Sequence, residues 1–230
     1  MVPAVGIVLQ ARFGSTRLPG KALARIGDVS ILERCLTRLT LANAGQVVLA
    51  TTKAPEDDAL AAVARGMRIR VHRGSTDDVL GRYLEAALVF GFDVVVRATG
   101  DNPAVDIDAP ARVLAALHAS SADYACEDGL PLGAGVEAFG VTALSRAAAT
   151  SPAAEDREHV TLCMKREPSR YRLVRRAAPE MLCRPDVCVT VDEQEDLDRV
   201  RRMFASTSSP EPALIDLISA SDRIAREDAA

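Results

Sequence analysis

Val5–Gly6–Ile7–Val8–Leu9 runs directly into Gln10–Ala11–Arg12–Phe13–Gly14–Ser15–Thr16–Arg17–Leu18–Pro19–Gly20–Lys21, and this stretch decides the fold. A continuous apolar run rich in β-branched residues reads as a strand buried on both faces, as in a parallel sheet. The loop after it threads Arg12, Arg17 and Lys21 among glycines and hydroxyls. Gly14 and Gly20 let the backbone come close to a ligand, while Ser15 and Thr16 offer hydroxyl and N–H donors. Arginine neutralises a polyanion through paired N–H bonds and lysine as a point charge. The loop is neither a Walker A sequence nor a G-x-G-x-x-G turn. A plain basic surface loop is the alternative, but its place directly after a buried strand favours an anion site.

Outward from this stretch, strands and helices alternate. Ser30 to Ala42 reads as a helix with Ile31, Cys35, Leu36 and Leu39 on one face, capped by Ser30 with Glu33 at capping-box distance. Val47–Ala50, Ile69–Val71 and Asp93–Arg97 read as strands; Pro55–Arg65, Val79–Val89 and Ile107–Ala119 read as helices. Such alternation calls for an α/β fold: a three-layer, mainly parallel sheet with helices on both faces and right-handed crossovers. Residues 120–179 are broken by Gly129, Pro131, Gly133 and Gly135 around a possible strand at Val136–Val141. They are expected to form a small irregular lobe serving acceptor binding or dimerisation. Val187–Val191 reads as a strand ending at Asp192, and Glu193–Phe204 as a helix with acidic residues in its first turn. Thr207–Pro212 is a linker to a last amphipathic helix whose Ala-rich end frays. No internal repeat divides residues 1–230, which read as one domain.

Composition narrows the function. At 48% hydrophobic and 26% charged residues the chain has the balance of a globular protein. Aromatics make up only 3%, with no Trp, which argues against a stacking platform for single-stranded nucleic acid. A net charge of −4 argues against a general nucleic-acid binder as well. Apolar runs are strand-sized, short of the roughly 20 residues a membrane span needs. The start, Met1 to Leu9, lacks the charged n-region of a signal peptide. The five cysteines (Cys35, Cys126, Cys163, Cys183, Cys188) form no C-x-x-C pair and are expected as reduced thiols in the cytoplasm. Cys183 and Cys188 have no His or Cys partner at ligand spacing, so no metal site is expected there.

Chemistry-bearing residues follow the other strands too, where ligands of open α/β sheets bind. Arg97–Ala98–Thr99–Gly100–Asp101–Asn102–Pro103 leaves the fourth strand. Asp101 is there either a turn-forming residue or a Mg²⁺ ligand, since Mg²⁺ takes one or two carboxylates plus phosphate oxygens and water. Asp192 is either a helix N-cap or the second carboxylate. Asp106 and Asp108 spell D-x-D, as a glycosyltransferase would require, but read as a helix start. His72 flanks a loop, His118 sits on the solvent side of a helix, and Arg157–Glu158–His159 reads as the opening of a helix.

Q-A-R-F-G-S-T-R-L-P-G-K (10–21), H-R-G-S-T-D-D-V-L-G-R-Y (72–83), V-V-R-A-T-G-D-N-P (95–103), R-E-H-V-T (157–161) and V-T-V-D-E-Q-E-D-L (189–197) occur in this order. Together they resemble the cytidylyltransferases of the spore-coat polysaccharide type, relatives of the enzymes that make CMP-activated keto-deoxy sugar acids and sialic acids. The resemblance spans roughly residues 4 to 205. It implies a nucleotide-diphospho-sugar transferase fold, CTP as donor, Mg²⁺ as cofactor and a homodimer. It puts Arg12 and Lys21 on the phosphates and makes them, with Asp101, the catalytic residues. Ser15, Thr16, Arg17 and Gly100 join the nucleotide contacts, and the backbone near Leu9, Ala11 and Gly14 lies by cytosine and ribose. Arg73 and Ser75 help read the base, Asp101 and Asp192 hold the metal, and Glu137, Glu158 and His159 face the acceptor.

Phe13 stands where the family usually has Met, Asn102 where a Cys often follows the metal Asp, and Gly133–Glu137 is less regular than the family's strand. The acceptor implied is a small anion, either a sugar acid or a phosphonate such as phosphonoformate. A non-catalytic nucleotide-binding protein of the same fold would have lost Lys21, Asp101 or Asp192, and all three are present.

Overall fold

The computed structural model describes residues 3–151 and 153–229, so Met1, Val2, Pro152 and the terminal Ala230 lie outside the described residues. In chain order the strands are β1 (Val5–Gln10), β2 (Arg25–Ile26), β3 (Val29–Ser30), β4 (Gln46–Thr52), β5 (Arg70–Gly74), β6 (Val94–Thr99), β7 (Tyr124–Asp128), β8 (Glu137–Gly140) and β9 (Leu173–Ala177). The helices are α1 (Ile31–Leu41), α2 (Asp58–Gly66), α3 (Val79–Phe90), α4 (Ala109–Ala119), α5 (Val141–Thr150), α6 (Ala154–His159), α7 (Leu162–Arg166), α8 (Gln194–Ala205) and α9 (Leu214–Asp228). Seven strands make one sheet in the order β5-β4-β1-β6-β8-β7-β9, and β2 with β3 forms a small separate ribbon. Only β8 runs against its neighbours β6 and β7; the other pairs in the large sheet are parallel.

The apolar run of β1 lies near the middle of this sheet because both of its faces must leave water. Ile7 and Leu9 enter the core under α1, α2, α4, α8 and α9. Val8 enters the opposite core under α3, α5 and α7. All three are fully buried. The Ser30 capping box forms as its spacing requires: Ser30 Oγ accepts from the Glu33 N–H at 3.2 Å and Glu33 accepts from the Ser30 N–H at 2.7 Å.

Two expectations change. Residues 120–179 are more regular than their glycines and prolines imply, because they add β7, β8 and β9 to the same sheet and carry α5, α6 and α7 between β8 and β9. The expected strand Val187–Val191 forms only a single bridge, Leu132 to Cys188. Its partner stretch lies between Pro131 and Gly133, and Gly133 adopts φ 92°, which turns the chain away before a ladder can extend. The segment is instead pinned point by point. Val189 N–H donates to the Leu132 carbonyl at 2.8 Å, and Val191 N–H to the Asp101 carbonyl at 2.8 Å.

Buried charge holds two joints of the fold. Arg38 is 0% exposed; its Nε donates to the Val105 carbonyl at 2.8 Å and its Nη1 to the Pro212 carbonyl at 2.9 Å. Arg34 lies beside it, and Glu211 meets both guanidinium groups, at 2.9 and 3.3 Å. Burial pulls both arginines below their ordinary value and Glu211 opposes it. The second joint is Glu137, opposite Arg97 in the β6–β8 register. Its carboxylate accepts from Arg97 Nη1 at 2.9 Å, Tyr124 Oη at 2.6 Å, Thr161 Oγ1 at 3.1 Å, and Lys165 Nζ. Burial would raise this carboxyl, but Arg97 and Lys165 outweigh it and bring it from 4.5 to about 2.

Two outcomes follow from these joints. Glu211→Ala leaves two buried guanidinium groups without a counter-charge and should cost about 3 kcal/mol in urea unfolding; a loss under ~1 kcal/mol would mean that the backbone carbonyls suffice. Glu137, lowered on folding, stabilises the native state above its unfolded value of 4.5 and loses that contribution as pH falls toward about 2. Wild type should therefore lose on the order of 2–3 kcal/mol more than Glu137→Gln across this window. Denaturant midpoints measured against pH would show the difference, and parallel curves would refute it.

Candidate active site

Beyond the carboxyl ends of β1 and β6 lies a cleft of about 410 Å³. This is where the strand order switches direction, β4 and β5 lying to one side of β1 and β6 to the other. Gln10 and Thr99 face each other as the last ladder pair, and the Gly100 N–H continues the pairing to the Gln10 carbonyl at 2.8 Å. A Cβ on Gly100 would stand 2.7 Å from the Ala11 Cβ and 3.0 Å from the Gln10 carbonyl, so only glycine allows the two loops this approach.

The loop that follows β1 is held from below by a residue that sequence reading did not single out. Asp57, 1% exposed, accepts from the Phe13 N–H at 2.6 Å and the Thr52 N–H at 3.0 Å. Burial opposes its charge, yet the bonds from Thr52 and Phe13 keep its carboxyl below the ordinary value. So anchored, the loop lines the cleft with Ala11, Arg12, Gly14, Ser15, Thr16, Arg17 and Lys21.

Across the mouth stand Gly100, Asp101 and Asp192. Lys21 Nζ lies 2.7 Å from Asp192 Oδ1, 2.8 Å from the Val191 carbonyl and 3.8 Å from Asp101 Oδ2. Arg17 reaches the same Asp192 oxygen at 3.0 Å. Two carboxylates distant in sequence, one just after β6 and one just before α8, thus converge on one ammonium group. Asp101 Oδ1 is buried and has no partner. One orphaned oxygen beside a second carboxylate and a cationic loop fits the oxygen chemistry of Mg²⁺, which draws its remaining ligands from phosphates and water. Among the described residues no group of three or more His, Cys, Asp and Glu side chains is placed to hold a metal by itself.

Glu158 and His159 also line the cleft, but they close α6 rather than open a helix. The chain turns at Val160, φ 54°, before α7 begins, and no periodic signal in so short a helix marks that break. Leu9, Arg73, Ser75 and Glu137 do not line it. Leu9 is fully buried within β1. Arg73 is spent on the turn after β4, donating to the Thr52 and Ala54 carbonyls at 2.7 Å each and pairing with Asp58. Ser75 Oγ accepts from the Asp78 N–H at 3.1 Å and shapes the start of α3. Glu137 lies behind Arg97. In their place stand Gln10, Arg82, Arg97 and Thr99, none singled out beforehand. Arg97 and Thr99 share a face of β6 by the period of two, and Arg82 lies one turn past the Asp78 cap of α3, so both placements had a sequence signal. Phe13 packs against the core and Asn102 donates to Thr99 Oγ1 at 2.8 Å. His72 lies 3.1 Å from Glu85, and His118 is exposed on α4. Cys183 is exposed and Cys188 partly so.

A family model described as cytidylyltransferase matches residues 6–212. The chain is 31% identical over 224 residues to the spore coat polysaccharide biosynthesis protein SpsF of Bacillus subtilis, covering 94% of this chain and 93% of that protein. It is 37% identical over 121 residues to a 3-deoxy-manno-octulosonate cytidylyltransferase of Leptothrix cholodnii, 49% of this chain and 44% of that one. A solved cytidylyltransferase from Leptospira borgpetersenii superposes with a TM-score of 0.91 at 27% identity, over 97% of this chain and 96% of that chain. The sheet order, with its single reversed strand, and the match to that structure make the fold that of the nucleotide-diphospho-sugar transferases. The family model over residues 6–212 and the likeness along nearly the whole length show that the chain belongs to the cytidylyltransferase family of nucleotidyltransferases.

Proposed function

We propose that this protein transfers the cytidylyl group of CTP to a small anionic acceptor, giving its CMP derivative and pyrophosphate. The observation that carries the reading is the convergence of Asp101 and Asp192 on Lys21 at the mouth of the Arg12–Lys21 loop. An acceptor oxygen attacks the α-phosphorus in line; its new P–O bond forms as the bond to the β-phosphate oxygen breaks and pyrophosphate leaves. Arg12, Arg17 and Lys21 orient the triphosphate and take up the charge that builds on the departing pyrophosphate. Asp101 and Asp192 are the residues that would hold Mg²⁺. When bound there, Mg²⁺ supplies charge neutralisation and polarises phosphate oxygens. An acceptor that is already an anion needs little help from a general base.

The name of one relative, a 3-deoxy-manno-octulosonate cytidylyltransferase, favours an acidic sugar as acceptor class, with a phosphonate as the variant to test beside it. Residues 120–179, which deliver Glu158 and His159, would form the acceptor side and the homodimer contact, in a protein that works in the cytoplasm. No helix among the described residues is long and apolar enough to cross a membrane.

Purified protein with CTP, MgCl₂ and a panel of keto-deoxy sugar acids and phosphonates should release pyrophosphate with at least one acceptor, and EDTA should stop it. A strong preference for UTP, ATP or GTP over CTP would overturn the donor assignment. Lys21→Ala and Asp101→Asn should each slow turnover about 100-fold or more while the circular dichroism melt stays cooperative. A rate near wild type in Asp101→Asn would remove that residue from the metal site.

A further inference from the structure

The remainder of the cleft lining, outside the phosphate loop, comes from α3, β6 and α6, and its charges do not balance. Arg82 on α3 is only 2% exposed. One of its nitrogens donates to the Ser75 carbonyl, its Nε has no partner, and no ion pair forms to it among the described residues. Arg97 on β6 meets Glu137 at 2.9 Å, but Glu137 also faces Lys165, so two cations share one carboxylate. The Tyr124 and Thr161 hydroxyls take further lone pairs of that carboxylate. Arg97 Nε is likewise buried and unpartnered.

Both guanidinium groups line the cleft, and both act electrostatically on the buried Tyr83 hydroxyl, which is hydrogen-bonded to the Ala98 carbonyl at 3.0 Å and 3.2 Å from that of Val8. The Asp78–Arg157 ion pair, at 3.2 Å, holds α6 against the start of α3, which brings Glu158 and His159 to the same wall. A guanidinium group does not lose its proton in a protein. Holding one away from water without a counter-charge is costly; Arg82 has no ion pair among the described residues and Arg97 shares Glu137 with Lys165, so a ligand anion would complete the charge of this wall. The loop after β1 offers Arg12, Arg17 and Lys21 to a triphosphate; Arg82 and Arg97 stand on other elements, α3 and β6, of the same cleft, where a second anion can meet them, although the Arg12 charge reaches Arg82.

We propose that Arg82 and Arg97 form the receptor for the negatively charged group of the acceptor, a carboxylate or a phosphonate, beside the loop that takes the triphosphate. Glu137 is then a positioning residue: it orients Arg97 and is too fully engaged to touch the acceptor itself. The assignment rests on the cytidylyl-transfer reading given above.

The test is calorimetric titration of the whole protein with two probes, pyruvate for a carboxylate and methylphosphonate for a phosphonate. Each is titrated alone and in the presence of a CTP analogue with a methylene bridge between its α- and β-phosphates. At least one probe should bind wild type in both settings, and the tighter one identifies the acceptor's charged group. Arg97→Lys, which keeps the charge toward Glu137, and Arg82→Gln should each weaken that probe by about tenfold or more, because bidentate guanidinium bonds are lost. The dissociation constant of the CTP analogue should move by less than about threefold. The proposal is overturned if neither probe binds wild type, or if probe affinity is unchanged in both folded variants. It is also overturned if the CTP analogue weakens as much as the probe, which would assign the two arginines to the triphosphate. If the probes bind through Arg82 and Arg97 but the analogue does not bind wild type at all, the anion receptor stands and the cytidylyl-transfer reading fails.

Discussion

The parallel pairing of β1 with β6 is the constraint on which the cleft depends. It ends with Gln10 opposite Thr99 and is carried one step further by the Gly100 N–H on the Gln10 carbonyl. Past that point the two chains diverge, one into the cationic loop and the other toward Asp101. Their separation at the mouth is set by backbone contact, since no side chain fits at Gly100. Asp101 in turn presents its carbonyl to Val191 N–H, which delivers Asp192 to the same place without needing a strand. Lys21 then stands between the two carboxylates, hydrogen-bonded to Asp192 and 3.8 Å from Asp101. The site is therefore assembled by short backbone bonds first and by charge second.

Buried charge elsewhere differs from that of the cleft in where it faces and in which carboxylates meet it. Arg34 and Arg38 are buried and face Glu211 and backbone carbonyls, although each still keeps one buried nitrogen without a partner. Asp57 is buried and saturated by N–H and hydroxyl donors. Arg82 and Arg97 keep unpartnered nitrogens, and both open onto the cleft. Unpartnered buried nitrogens occur at both places, so what sets Arg82 and Arg97 apart is that they open onto the cleft and that Arg82 has no ion pair among the described residues.

Much of this was legible in the residues. The apolar run of β1, the capped amphipathic helix α1 and the alternation through α4 are local patterns, and the boundaries of α3 fell within one residue of the expected Val79–Val89. The loop 10–21 read as an anion site because its composition and its position after a buried strand both pointed there. The less legible parts were those whose partners are remote in sequence. The β7–β9 ladder joins residues nearly fifty positions apart, and the bridge at Cys188 depends on how Gly133 turns. Short α6, with Glu158 and His159 at its end, offers too few turns for a periodic signal.

By itself, the sequence determined the fold class, the central strand, the cationic loop and the candidacy of Asp101 and Asp192, because each is written in a contiguous run with its own periodicity or spacing. Only the tertiary structure decided which side chains reach the cleft. It turned Arg73 onto the β4 turn, withdrew Glu137 behind Arg97, and brought Arg82 and Arg97 forward. The reason is physical: a guanidinium group has the same chemistry wherever it stands, and whether it braces the fold or meets a ligand depends on which carbonyls and carboxylates the packed elements place around it. Those neighbours come from other strands and helices, and no local reading of the chain contains them.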